Sequence, residues 1–150
     1  MLKALTSFFE QAPESDDSAA SAHELELATA VLLVEVARAD FSEDDIEIDA
    51  VARLLTEHLD MTPAEIERLV QDAKREADHA ASLQSFTRQL HEELGNDEKL
   101  RLIEMLWQVA LADSTLDKHE DHLIRRVAGL LYVSHSDLIR IRNRVQANRS

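Results

Sequence analysis

Two stretches decide the fold: ELELATAVLLVEVARAD at Glu24 to Asp40 and DEKLRLIEMLWQVALAD at Asp97 to Asp113. The first carries Leu27, Ala28, Val31, Leu32, Leu33, Val34 and Val36, with Glu35 the only charge between Leu27 and Ala37. A helix apolar nearly all round is one buried on every side. The second repeats the design, with Leu100, Ile103, Leu106, Trp107 and Ala110 on one stripe and further apolar residues beside it. Aligned over Val31 to Asp40 and Glu104 to Asp113, five of ten positions are identical: Leu33 with Leu106, Val36 with Val109, Ala37 with Ala110, Ala39 with Ala112, and Asp40 with Asp113. The two helices are expected to pack together at the centre of the protein.

Each is followed by a short loop and a second helix, predicted over Asp44 to His58 and Asp117 to Leu131. A third helix follows each in turn. TPAE at Thr62 to Glu65 supplies an N-cap, a first-turn proline and a capping-box glutamate for a helix to about Ala80, and SHSD at Ser134 to Asp137 offers the analogous start before LIRIRNRV. SLQSFTRQLHEEL joins the halves as a connecting helix that ends near Gly95, with Asn96 read as cap of the next. Farther along, ARLL at Ala52 to Leu55 matches AGLL at Ala128 to Leu131 at an offset of 76, which implies three residues gained in the second copy or lost in the first. The fold class expected is all-α: an internally duplicated array of two helix-loop-helix-helix units around two central buried helices.

Composition agrees. Of 150 residues 45% are apolar, enough for one core, and two Gly, two Pro and 4% aromatics leave little material for hairpins. The net charge of -14 repels phosphate backbones, so nucleic acid is not an expected partner. The balance is uneven: residues 1–120 hold 28 acids against 10 basic residues, whereas residues 121–150 hold 2 against 6. Arg125, Arg126, Arg140, Arg142 and Arg144 read as a solvated face that pairs with the acidic body, or as a docking patch for a protein partner. The lack of Cys excludes disulfides, thiol nucleophiles and zinc-thiolate sites and is compatible with a cytoplasmic location.

Residues 1–22 read as a segment apart from the domain at 23–150. Leu2, Leu5, Phe8 and Phe9 recur at helical spacing, as in a short amphipathic helix that docks on the body or touches a membrane peripherally, and QAPESDDSAAS at Gln11 to Ser21 has the composition of a flexible acidic linker. The apolar start is too short for a signal peptide or a transmembrane segment.

The loops after the central helices carry the chemistry worth testing. VEVARADFSEDDIE at Val34 to Glu47 and VALADSTLDKHE at Val109 to Glu120 share Ala-x-Ala-Asp and a Glu seven residues after the Asp. Calcium in EF-hand geometry is excluded: counted from Asp113, position six is Lys118 and position twelve Ile124; counted from Asp40, they are Asp45 and Val51. Asp44 with Glu47 and Asp117 with Glu120 fit helix caps, which explains four acids. Asp40 and Asp113, placed at helix C-termini, face the negative end of the dipole and need compensation. Two readings stand. The acids close the loops through backbone amides, or Asp40, Asp44 and Glu47 in one loop and Asp113, Asp117 and Glu120 in the other converge on a divalent cation, with magnesium, calcium or manganese suited to oxygen ligands. A competing class is a metal-dependent hydrolase using Asp113, His119, Glu120 and His122, with the histidines three apart in KHEDH; it is not HExxH, and no GxSxG or Gly-rich phosphate loop supports an enzyme.

The strings ADSTLDKHEDHLIRRVAGLLYVSHSDLIR and ARADFSEDDIEIDAVARLL resemble the TerB-like family named after bacterial tellurite-resistance proteins, whose helical domain also occurs beside a DnaJ domain in membrane-anchored co-chaperones. The resemblance runs from about Leu25 to Val145. It implies a duplicated all-α fold, a cytoplasmic protein of stress or toxic-anion response, divalent-metal binding through loop acids, and no enzymatic activity. One departure matters. The family commonly has Gly after the Asp, where this chain has Phe41 and Ser114.

Overall fold

The computed structural model describes residues 18–39, 45–79, 83–112 and 116–149, and among them the secondary structure is entirely helical. Seven helices are described: α1 (Ser18–Ala37), α2 (Asp45–His58), α3 (Pro63–His79), α4 (Leu83–Glu93), α5 (Asn96–Ala110), α6 (Lys118–Leu130) and α7 (His135–Arg149). The amphipathic segment read at Leu2 to Phe9 lies outside the described residues.

Helix α1 begins at Ser18, five residues before His23, because Ser-Ala-Ala-Ser-Ala continues the helix cheaply where a linker was expected. From Leu25 onward it is buried over most of its surface: Leu25, Ala28, Ala30, Leu33, Val34, Val36 and Ala37 are 0% exposed, and Glu26, Leu27 and Glu35 are partly covered. Five helices cover it, α2 to α6. Helix α5 packs on α1, α2, α6 and α7. The indole of Trp107, fully buried on α5, donates Nε1–H to the Leu138 carbonyl of α7 at 3.2 Å, so a large aromatic is packed without an orphaned donor.

The outer helices show one inward stripe each. On α3, Ile66, Leu69, Val70 and Ala73 are buried at helical spacing; on α7, Leu138, Ile141 and Val145 are. Thr62 and Glu65 exchange their side chains across the start of α3, Thr62 N–H donating to Glu65 Oε1 at 2.8 Å and Glu65 N–H to Thr62 Oγ1 at 3.2 Å. The Thr62 amide first, and its side chain second, hold the Glu65 carboxyl below its usual range. Ser134 plays the matching role for α7, accepting from Asp137 N–H at 3.1 Å. The next start differs from expectation. Gly95, in extended backbone, is the cap of α5, and its N–H donates to Glu98 Oε1 at 3.3 Å, which places Asn96 inside the helix.

Packing register corrects the three-residue shift read from ARLL and AGLL. Glu47, Val51, Leu54 and Leu55 form the buried face of α2, and Glu120, Ile124, Val127 and Ala128 that of α6, so the offset stays at 73 through both helices. From Thr62 and Ser134 onward it is 72, with Ile66 matching Leu138 and Leu69 matching Ile141. The burial stripe, not the letter match, decides the alignment, because Leu54 is buried and its letter partner Leu130 is only partly covered. The helix before the second corner, α6, is accordingly one residue shorter than α2, and the corners themselves span residues 59–62 and 131–134. The second is closed by Tyr132 at φ 59°.

Candidate functional site

Both central helices end three residues earlier than read from sequence, and they end alike. Arg38 N–H bonds the Val34 carbonyl at 3.0 Å and Ala39 N–H the Val36 carbonyl at 3.2 Å; Leu111 N–H bonds Trp107 at 2.9 Å and Ala112 N–H bonds Val109 at 3.1 Å. Every pair is offset by 73. Each last α-helical turn thus tightens into a 3₁₀-type bond just before the acidic loop. The helices close at Ala37 and Ala110. Asp40, Asp44 and Asp113 lie outside the described residues, and of the six proposed ligands the structure describes Glu47, Asp117 and Glu120.

Asp117 caps α6 with extended backbone (φ -77°, ψ 143°), and its Oδ1 accepts from His119 N–H at 2.7 Å. Glu120 closes the box, its Oε1 accepting from Asp117 N–H at 3.2 Å. These bonds fulfil the capping role that the DxxE spacing predicts. What the spacing alone misses is depth. Glu47 and Glu120 are each 1% exposed, carboxylates in the interior rather than on a solvated first turn. The signal was present, because each Glu precedes apolar residues four, seven and eight positions on and so sits on the inward stripe.

The hydrolase arrangement is divided by the same geometry. His119 and His122 are exposed while Glu120 points inward, so the three do not share a face of α6. Neighbouring Asp121 turns to Arg125, Oδ2 to Nε 2.8 Å. Among the described residues no three His, Cys, Asp or Glu side chains are grouped to hold a metal ion. The acids that are described form an all-oxygen set, the donor chemistry of a hard divalent cation rather than of zinc or copper. A cation in the second loop would be held by Asp117, Glu120 and Asp113, and in the first by Glu47, Asp44 and Asp40.

Of the C-terminal arginines, Arg144 pairs with the body, whereas Arg125 and Arg140 pair with Asp121 and Asp137 on their own helices. Arg144 Nη2 reaches Glu104 Oε1 of α5 at 3.4 Å, Arg140 Nη2 reaches Asp137 at 3.1 Å, and on the other side Arg38 Nη2 bonds Asp78 Oδ1 at 2.6 Å. None of the described helices is long and apolar enough to cross a membrane.

The described residues thus define an all-helical frame in which a capping box follows the second acidic loop. A family model for the tellurite resistance protein TerB matches residues 26–143, and the chain belongs to that family. No curated protein and no solved structure matches it.

Proposed function

We propose that this protein is a non-enzymatic binding or scaffold module of bacterial stress response, cytoplasmic, that takes a divalent cation at its acidic loops and engages a protein partner. The observation that carries the reading is the pair Glu47 and Glu120, carboxylates kept 1% exposed at equivalent places beside the two loops. A carboxylate set at that depth beside loop aspartates is an oxygen donor of the kind a hard divalent cation takes. Matched helix ends and matched inward faces support descent of the two three-helix units from one duplicated unit, and so a site in each.

Calorimetry with magnesium, calcium, manganese and zinc on the wild type and Asp113→Ala tests the cation. Heat with the oxygen-seeking ions that Asp113→Ala abolishes is the expected result. Heat with zinc alone would move the site to His119 and His122, and no heat with any ion would reduce the acids to helix caps. Pull-down from native cell extract with and without chelator then tests whether partner capture depends on the ion.

A further inference from the structure

The second corner places a tyrosine where glycine is the usual occupant. Tyr132 N–H donates to the Gly129 carbonyl at 3.1 Å and Val133 N–H to the Ala128 carbonyl at 2.8 Å, the paired closure of a helix whose next residue is left-handed. An aromatic at φ 59° is strained where glycine would not be. What the tyrosine adds is a ring. It is 78% exposed and stands against His91 of α4, with centroids 4.6 Å apart and planes at 43°.

These two rings border a groove of about 250 Å³ completed by Gln84, Thr87, Arg88 and Leu130. Thr87 is committed to its own helix, its hydroxyl shared between the carbonyls of Leu83 and Gln84. Arg88, on the same face of α4 as His91, presents a guanidinium that is exposed. Behind them Lys99 of α5 reaches His91, Nζ to Nδ1 2.6 Å. An ammonium can only donate, so Nδ1 accepts and Nε2 carries the ring proton, a further donor. None of the six lining residues is acidic, in a chain of net charge -14. Burial pushes the Lys99 amine below its usual range, a penalty that a bound anion would offset.

We propose that this groove binds a small anion carrying a planar ring, with the oxyanion held by Arg88 and by the Nε2–H of His91, whose tautomer Lys99 fixes, and the ring laid on Tyr132. Guanidinium and imidazole donors suit phosphate and carboxylate alike, and the exposed phenol ring supplies a stacking face. The site uses none of the loop acids and stands independently of the cation proposal.

The test is titration of the ¹⁵N-labelled full chain with phenyl phosphate, benzoate, inorganic phosphate and benzyl alcohol, followed by amide shifts. Phenyl phosphate or benzoate should give saturable shifts at residues 84–91 and 130–133, and the tighter of the two identifies the oxyanion. Inorganic phosphate and benzyl alcohol should bind about tenfold more weakly, and Arg88→Ala and Tyr132→Gly should each cost the aryl anion about tenfold. Tyr132→Gly relieves the backbone and keeps the fold, so its loss of binding would report the ring. Absence of saturable shifts with both aryl anions overturns the proposal, as do shifts mapping elsewhere, inorganic phosphate binding as tightly as the aryl anions, or unchanged binding in either variant.

Discussion

Glu47 and Glu120, 73 residues apart, are each the third residue of a helix and each 1% exposed. Four residues on, Val51 and Ile124 are both 0% exposed, so each carboxylate begins the apolar stripe that holds its helix to the core. In Glu120 a capping acid and a core contact are therefore one residue. Glu120→Ala should lose about 1–2 kcal/mol, since it removes the acceptor for Asp117 N–H and leaves an unfilled space at the stripe. Urea denaturation of Glu120→Ala and Glu47→Ala checks this, and the two losses should be similar.

Thr29 is fully buried in α1, and its hydroxyl has no hydrogen-bond partner among the described residues. The matching place in α5 holds Leu102, also 0% exposed. Thr29→Val should raise stability by about 1 kcal/mol by removing an uncompensated polar atom at nearly constant volume. A midpoint in urea below that of the wild type would contradict this.

Half-burial pushes the Glu35 carboxyl above its usual range, Arg38 draws it back, and Asp78 adds to the rise. An acid raised in the folded state binds protons more readily folded than unfolded, so its destabilising effect is full above the raised value and disappears as the pH falls toward 4.5. Glu35→Gln should thus stabilise the protein at neutral pH, with the advantage shrinking through that window. Thermal melts at a series of pH values measure it.

Trp107 is the only tryptophan, which makes the centre of the molecule directly observable. Its emission should be blue-shifted and protected from acrylamide until the whole domain unfolds. Trp107→Phe should cost about 1–3 kcal/mol by removing the indole bond to the Leu138 carbonyl and thinning the packing between α5 and α7.

Tyr132→Gly should do the opposite and raise stability by about 1 kcal/mol, because a left-handed backbone no longer carries a Cβ. Differential scanning calorimetry would show a higher melting temperature. A lower one would mean that the ring contact with His91 outweighs the strain.

Much of this architecture was legible in the residues. The dense apolar runs of α1 and α5 announced buried helices, and TPAE and SHSD marked helix starts that the hydrogen bonds bear out. Register was not legible from ARLL and AGLL, because Leu is common on helices and only burial separates an inward Leu54 from a partly covered Leu130. The N-cap of α5 went to Gly95 instead of Asn96 because Glu98 satisfies its amide, a local competition the letters leave open. For the candidate site, acid spacing revealed the capping box but not the depth of Glu47 and Glu120. The groove at Tyr132 was hidden altogether, since its donors come from α4 and its ring from the end of α6.

The burial of α1 over most of its surface also governs how the molecule could be divided. Its neighbours α4, α5 and α6 all come from the later part of the chain, so a fragment of residues 18–79 alone would present bare hydrocarbon to water, and one of residues 83–149 would open a trough where that helix belongs. Neither piece is self-sufficient, yet each is shaped to complete the other. Expressed as two polypeptides, they should be recovered as one reconstituted body, a ready basis for a split reporter.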